Sequence, residues 1–212
     1  MSRDKLRIAV FASGSGSNFQ ALAEASRAGD LGPGEIALLV CDKPEAKAVE
    51  RARGLGVEAY TFRPKEYASR EAYETAIAAE LAARGIGLIV LAGYMRILTD
   101  VLVGAYEGRM INVHPSLLPA FPGIRAIGQA LDYGVKVTGV TVHFVDGGLD
   151  SGPIIAQRVI EIAPGDTEET LASRIHAIEH ELLPHTVRQI AEGRVRLDGR
   201  LVTVGDSTGR QG

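Results

Sequence analysis

Short runs of apolar residues recur along the first hundred residues, and each is followed by a segment with helical spacing. The apolar runs lie at 6–12, 35–42, 57–62 and 88–94. Apolar residues at helical spacing occur at 19–29, 46–56 and 70–85. Continuous apolar runs of this length are typical of buried parallel strands. Strands that alternate with helices predict right-handed crossovers and a mostly parallel sheet.

The pattern changes after residue 100. Residues 109–115 predict a fifth strand, whereas 136–146 and 153–162 alternate as two long strands around a glycine-rich turn. A long helical segment at 167–193 contains Pro184, where a kink is expected, and a hairpin turning at Asp198-Gly199 follows it. The predicted fold class is α/β: a doubly wound, Rossmann-like, mostly parallel sheet with a C-terminal antiparallel extension and a long C-terminal helix.

No repeat or linker divides the chain, so we expect one domain over residues 1–206. Its halves would be about 1–100 and 101–206, and a disordered tail is expected at 207–212. The formal net charge of -3 argues against a general nucleic-acid binder. No apolar stretch is long enough to span a membrane, and the first residues lack a signal-peptide pattern. The lone Cys41 excludes an intrachain disulfide. These features predict a cytoplasmic protein.

A glycine-rich loop, SGSGSN at 13–18, joins the first strand to the first helix. Such a loop exposes backbone N–H groups, and the start of the helix adds partial positive charge. A dinucleotide fingerprint would need a third glycine at Phe19, and Asp42 lies beyond the usual ribose-binding distance of about 20 residues. A phosphate monoester therefore fits better than NAD. The alternative is a tight turn capped by Ser17 or Asn18.

A second set of polar residues follows the fifth strand. The strand period of two places Asn112 and His114 on one side, at the carboxyl end of the sheet. An amide beside a protonated imidazole suits a carbonyl that becomes an oxyanion. Asp150, in the turn at 147–152, is a carboxylate that can relay protons if it meets His114. Asp146 is a rival, more typical of a turn residue, and a structural role for His114 is the alternative.

The remaining histidines give weaker signals. His176 and His180 are four residues apart on a helix, as in some metal sites. Because no third ligand motif lies nearby, we do not expect a metal. His143 lies on an alternating strand and is either a core residue or a support for the site.

Several segments together carry a family resemblance. They are the glycine loop, LAGYMRIL, INVHPSLLPAFPG, VTVHFVDGGLDSGPII and IHAIEHELLP, which occur in this order between about Leu6 and Val204. Together they resemble the phosphoribosylglycinamide formyltransferases, folate-dependent enzymes of purine synthesis. The resemblance implies transfer of a formyl group from the co-substrate 10-formyltetrahydrofolate to the amine of N1-(5-phospho-D-ribosyl)glycinamide. No activated Ser or Cys nucleophile is apparent, so we expect direct attack through a tetrahedral intermediate.

The resemblance also implies roles for individual residues. The substrate phosphate is bound by Gly16, Ser17 and Asn18, and Glu179 contacts the glycinamide part. Catalysis is assigned to Asn112 and His114, with Asp150 holding His114. The folate site is lined or supported by Arg70, Met95, Arg96, Ile97, Leu98 and Asn112. The alternatives are a solvated Arg70, plain core at Met95–Leu98 and a surface charge at Glu179.

One segment departs from the family pattern. After Phe121-Pro122-Gly123, some relatives carry a histidine pair, whereas this chain has Ile124-Arg125-Ala126-Ile127. No proton-transfer role is therefore assigned there. Arg125 is either a solvated charge or a contact for the acidic tail of the formyl donor.

Other functions share part of these motifs. Methionyl-tRNA formyltransferases are expected to need a further C-terminal domain and a basic face for tRNA. Formyltetrahydrofolate deformylases usually carry an N-terminal regulatory domain, for which there is no room before Leu6. A nucleotide-binding regulatory module is disfavoured by the missing third glycine and by the set Asn112, His114 and Asp150. The expected partners are the two small substrates, without nucleic acid or membrane. The oligomeric state stays open, a homodimer included.

Overall fold

The computed structural model describes residues 5–205, so the expected tail at 207–212 lies outside the described residues. The strands are β1 Leu6–Phe11, β2 Gly34–Cys41, β3 Glu58–Thr61, β4 Leu88–Leu91, β5 Met110–His114, β6 Val137–Phe144, β7 Ile154–Glu161, β8 Val195–Asp198 and β9 Leu201–Val204. The helices are α1 Ser17–Ala28, α2 Lys47–Leu55, α3 Arg70–Ala83, α4 Asp100–Ala105, α5 Ala126–Tyr133 and α6 Glu168–Ala191, with a short 3₁₀ turn at Pro64–Glu66.

Seven strands form one sheet in the order β3-β2-β1-β4-β5-β6-β7. The neighbours from β3 to β5 are parallel, whereas β6 and β7 are antiparallel additions. Strands β8 and β9 form a separate hairpin. The predicted α/β class is confirmed. Because the chain moves outward in opposite directions from β1 and from β4, a crevice is expected between their carboxyl ends.

The sheet is covered on both faces, as successive residues of β1 show. Ile8 and Val10 pack into a cluster with residues of α1, α2 and α6, whereas Ala9 and Phe11 pack into one with residues of α3. All four have no exposed surface. Fully burying a side chain of the size of Phe11 contributes about 1.5–3 kcal/mol, so these two clusters fix the sheet between its helices.

Two short helices were not predicted. Thr99 caps α4 by accepting a hydrogen bond from Val101 N, and the buried Glu74 of α3 accepts from Thr99 N at 3.0 Å. Helix α5 starts after Arg125, whose φ of 56° is left-handed. Contacts distant in sequence and unusual backbone geometry therefore define these helices.

Two details of the C-terminal region differ from expectation or refine it. Helix α6 continues through Pro184 as one helix. The hairpin turn is at Gly199-Arg200, one residue later than predicted, because Asp198 pairs with Leu201 and Gly199 takes a positive φ of 55°. Between residues 5 and 205, no helix is both long and apolar enough to cross a membrane.

Candidate active site

Four residues form a row across the sheet and set the geometry of the site. Phe11 is opposite Leu91, Leu91 is opposite Asn112, and Asn112 is opposite His143. Neighbouring strands lie about 4.8 Å apart, so Asn112 is about 10 Å from the end of β1. The glycine loop that follows β1 and the polar residues of β5 therefore share one edge of the sheet.

The glycine loop is anchored to two neighbouring segments, the residues after β4 and helix α2. Ser13 N donates to Gly93 O at 3.1 Å, and Ser13 Oγ accepts from Met95 N at 2.9 Å. Ala48 N of α2 donates to Gly14 O at 3.0 Å, and Arg51 Nε donates to Ser15 O at 2.8 Å. These bonds occupy side chains and carbonyl oxygens, and they hold the loop at the start of α1.

The local backbone conformation and the nearby helix α2 require a glycine at position 16. Its φ is 71°, and a Cβ at this position would lie 2.6 Å from Ala48 Cβ. Gly16 is also the N-cap of α1, where no side chain of the described residues accepts from the first turn. The predicted alternative of a cap by Ser17 or Asn18 is therefore wrong. The first backbone N–H groups of α1 are left for an anion, as a phosphate site needs.

Asn18 and Glu179 form a buried pair between the loop and α6. Asn18 Nδ2 donates to Glu179 Oε2 at 2.9 Å, and the two residues are only 9% and 5% exposed. Burial raises the pKa of the Glu179 carboxyl, against the opposing effects of the Asn18 hydrogen bond and His176. The alternative of a surface charge at Glu179 is therefore wrong. Glu179 is bonded to Asn18, which belongs to the proposed phosphate cradle of Gly16, Ser17 and Asn18.

His114 is buried, and both of its ring nitrogens face acceptors. Nε2 lies 2.9 Å from Phe121 O, and Nδ1 lies 3.4 Å from Asp150 Oδ2. A carbonyl oxygen only accepts, so Nε2 carries the hydrogen in this arrangement. A neutral ring then faces the carboxylate with a lone pair, whereas an imidazolium donates to both. His114 is therefore held between a backbone carbonyl oxygen and a carboxylate.

Asp150 connects the two strands with the loop at 121–123. Its Oδ2 accepts from Gly123 N at 2.7 Å, and its Oδ1 lies 3.4 Å from Asn112 Nδ2 and 3.7 Å from His143 Nε2. Burial alone would raise the pKa of this carboxyl, but its hydrogen bonds, including the one from Gly123 N, and the charge of His114 outweigh burial and lower it. Asp150 is thus held as a carboxylate beside the imidazole, as the predicted pairing requires.

The turn that carries Asp150 folds back over the sheet. Phe144, the last residue of β6, lies opposite Ile111, whereas Asp150 reaches Asn112 and His114 further along β5. A Cβ on Gly152 would lie 1.8 Å from Phe144 O, so only glycine permits this close return. Asp146 stays within the turn, where Oδ1 accepts from Gly148 N and Ser151 Oγ.

His143 belongs to the same polar cluster, although the sequence left its role open. It is 2% exposed, and its Nδ1 lies 2.8 Å from Phe144 O. Its Nε2 lies 3.2 Å from Asn112 Nδ2, across the β5/β6 pair. The signal that identifies His143 is the register of these strands, which the sequence pattern does not specify.

The predicted folate-binding segment borders the row at the end of β4. Met95 and Ile97 are 70% and 71% exposed, so the alternative of plain core is wrong for both, whereas Leu98 packs against a core cluster. Arg96 Nε donates to the buried Asp42 at 2.8 Å, which ties the segment to the end of β2. Two apolar side chains are thus presented to solvent on an anchored loop.

Arg70 lies at the exposed first position of α3. Burial raises the pKa of Tyr73, while Arg70 and Arg96 both act to lower it. Both arginines therefore act on the Tyr73 phenol, and a contact of Arg70 with the folate stays a prediction.

Two other sequence features have structural outcomes. Arg125 lies 3.8 Å from Glu168 and 3.9 Å from Asp132, so its charge is balanced by two exposed carboxylates. Within the part of the chain that the structure describes, no three His, Cys, Asp or Glu side chains are grouped to hold a metal ion.

Comparisons with known proteins agree with the resemblance read from the sequence. The model of the Formyl transferase family matches residues 6–187. The phosphoribosylglycinamide formyltransferase of Bacillus subtilis (strain 168) is 52% identical over 184 residues, which is 87% of this chain and 94% of that protein. The protein of that name from Mycobacterium tuberculosis is 44% identical over 199 residues, or 94% of this chain and 91% of that protein.

The solved structures give the same result. Glycinamide ribonucleotide transformylase 1 from Symbiobacterium toebii has a TM-score of 0.93 at 47% identity, covering 96% of this chain and 95% of that one. Since the family model covers most of the chain and relatives match it nearly end to end, this chain belongs to the Formyl transferase family.

Proposed function

We propose that this protein transfers the formyl group of 10-formyltetrahydrofolate to the amine of N1-(5-phospho-D-ribosyl)glycinamide, a step of purine biosynthesis. Relatives that match nearly their whole length carry the name of this activity. The proposed setting is the cytoplasm, in keeping with the charge and the single cysteine of the chain.

The main support for the proposal is the convergence of three polar groups: the Asp150 carboxylate lies within 3.4 Å of both Asn112 and His114. These groups lie about two strand spacings from the uncapped start of α1. A phosphate held at Gly16, Ser17 and Asn18 would place the rest of a small substrate over Asn112. Glu179 is proposed to contact the glycinamide part, since it is bonded to Asn18.

In the proposed reaction, the substrate amine attacks the formyl carbon directly. Binding both substrates side by side turns a bimolecular step into a nearly intramolecular one, which is worth up to about 7–11 kcal/mol in favourable cases. His114 stabilises the oxyanion of the tetrahedral intermediate by redirecting its Nε2–H from Phe121 O, and Asp150 holds the imidazolium. Asn112 lies beside the same carbon, where its carboxamide can donate to the oxyanion or accept from the amine.

The formyl donor is proposed to bind along the segment at 94–98. Exposed Met95 and Ile97 suit the flat, largely apolar ring system of a folate, and the Arg96–Asp42 pair keeps the segment in place. Leu98 supports the segment from the core side. Arg70, at the start of α3, is proposed to contact the donor, and Asn112 is proposed to border the reacting carbon. His114 and Asp150 then move a proton from the attacking amine to the departing folate nitrogen.

A direct experiment separates the related activities. The protein is incubated with 10-formyltetrahydrofolate, with and without the glycinamide ribonucleotide, while folate absorbance is followed. The proposal expects a change only when both substrates are present. A change with folate alone would show a deformylase, and no change in either mixture would refute formyl transfer.

The Asp150→Asn variant tests the central carboxylate. At 3.4 Å and an effective dielectric constant of about 20, its attraction to a charged His114 is up to about 5 kcal/mol. Because an amide keeps part of this interaction, we expect a loss of about 2–4 kcal/mol, or about 30- to 1000-fold in kcat. Folding is checked by circular dichroism. Near-normal turnover of the folded variant would remove Asp150 from the mechanism.

A further inference from the structure

The polar cluster fixes the hydrogen position on His143. Phe144 O, which lies 2.8 Å from Nδ1, has no hydrogen to give, so Nδ1 must carry one in every protonation state. In the neutral ring, Nε2 therefore has a lone pair. His143 is almost completely buried, and the hydrogen bond to Phe144 O prevents the ring from turning to exchange its nitrogens.

That lone pair selects one end of the Asn112 carboxamide. Nε2 of His143 lies 3.2 Å from Asn112 Nδ2, and Asp150 Oδ1 lies 3.4 Å from the same nitrogen. The amide nitrogen has two hydrogens, so each finds an acceptor. Asn112 Oδ1 has no hydrogen-bond partner among residues 5–205. It is also not among the fully buried polar atoms, so a ligand can reach it. It is the end of the amide left for a ligand.

Turning the amide over would be unfavourable. Asn112 Oδ1 would then face the Asp150 carboxylate and the His143 lone pair, which places three acceptors together without a hydrogen between them. A buried acceptor without a donor costs about 1–3 kcal/mol, and more when charge is involved. The pairing of Asn112 and His143 across β5 and β6 keeps the two groups in reach.

We propose that His143 is a positioning residue that turns the carboxamide oxygen of Asn112 toward the reacting carbon. Asn112 Oδ1 then accepts a hydrogen bond from the attacking amine and so orients the lone pair of the amine nitrogen, while the oxyanion is left to His114. The inference rests on the proposed function. It makes the Asn112 carboxamide a hydrogen-bond acceptor at the reacting carbon, whereas the sequence predicts a donor.

A matched pair of variants separates positioning from packing. His143→Asn keeps a donor within reach of Phe144 O but has no acceptor at the position of Nε2. His143→Gln carries Oε1 near that position. We expect His143→Asn to lower kcat about 10- to 100-fold, because misplacement by about 1 Å has such effects, with little change in either KM. His143→Gln should restore most of kcat.

A double-mutant cycle with Asn112→Ala tests whether His143 acts through Asn112. If it does, His143→Asn in the Asn112→Ala background should cost no further activity, since the two residues work as a unit. Losses that multiply would overturn the proposal. So would equal activity of the folded His143→Asn variant and the wild type.

Nitrogen NMR of the wild-type protein decides the matter without any variant of His143. The ring ¹⁵N shifts of His143 should show hydrogen on Nδ1 alone, and a coupling across the hydrogen bond should connect Nε2 with Asn112 Nδ2. Hydrogen on Nε2, in a neutral or in a doubly protonated ring, would refute the proposal. Absence of formyl transfer by the wild type would instead refute the proposed function, and the NMR result would be unaffected.

Discussion

The buried pair of Asn18 and Glu179 predicts a variant, Glu179→Gln, that is more stable and less active than the wild type. In the present pair, Asn18 Nδ2 donates to Glu179 Oε2, but Asn18 Oδ1 is buried and has no partner among residues 5–205. A carboxamide at 179 can accept with Oε1 and donate with Nε2. Both ends of Asn18 would then be paired, and the buried charge would be removed.

The size of the effect follows from these groups. Satisfying a buried acceptor recovers about 1–3 kcal/mol. A change of 1 kcal/mol moves Tm by about 2–4 °C in a chain of this length, so Tm should rise by about 2–12 °C at pH 7.5. The exposed Glu181, two residues further along α6, provides the control. Glu181→Gln should leave Tm nearly unchanged.

The increase in stability of Glu179→Gln over the wild type should depend on pH, and the raised pKa of Glu179 determines the direction of that dependence. The folded carboxyl holds its proton more tightly than the unfolded one. Its stabilising contribution is complete below the unfolded pKa of about 4.3 and is lost as the pH rises through the folded pKa. The advantage of Glu179→Gln should therefore be small near pH 4 and larger at pH 7.5.

The assay is calorimetric or urea unfolding of the three proteins at both pH values. Binding of the glycinamide ribonucleotide is measured in parallel. We expect weaker binding by Glu179→Gln, since stabilising a functional group's surroundings commonly costs activity. A lower Tm for Glu179→Gln at pH 7.5, or a gain of the same size at both pH values, would refute the reasoning.

Three further predictions concern the loop, the donor segment and acid stability. Gly16→Ala should cost about 2–4 kcal/mol in urea unfolding, from left-handed strain and the contact with Ala48, whereas Gly14→Ala, with open space around it, should cost less than half as much. Asp42→Asn, which removes the negative charge paired with Arg96, should raise KM for the formyl donor about three- to tenfold and leave KM for the glycinamide ribonucleotide unchanged in steady-state kinetics; equal changes in both would contradict this. Because the Asp150 pKa is lowered, its contribution to stability is present above the unfolded value of about 3.9 and is lost as the pH falls through the folded value. The difference in unfolding free energy between wild type and Asp150→Asn should thus shrink below about pH 4 in urea titrations, and a constant difference would argue against it.

The parallel half of the sheet could be predicted because its signals are local. Buried strands read as continuous apolar runs, and the helices between them have a clear period. Helix α4 has only six residues and depends on Glu74, which is 25 residues from Thr99. No window of sequence around Asp100 contains that contact, so this helix could not be predicted.

The candidate site divides in the same way. The period of two along β5 was enough to place Asn112 and His114 together. The meeting of Asp150 with His114 depends on a turn that folds back, on the Gly123 N–H and on the close approach at Gly152. The place of His143 opposite Asn112 depends on strand register. Both are properties of packing between distant segments, which residue patterns suggest but do not fix.

The position of β5, at the boundary between the parallel and antiparallel parts of the sheet, has an evolutionary consequence. The proposed phosphate cradle belongs to β1 and α1 on one side, whereas Asp150 and His143 come from the antiparallel side. Substitutions that adapt the loop to another molecule that accepts the formyl group would leave unchanged the Asp150 carboxylate, the imidazoles of His114 and His143, and the Asn112 amide. A lineage with this architecture can thus exchange its acceptor while it inherits the transfer chemistry intact.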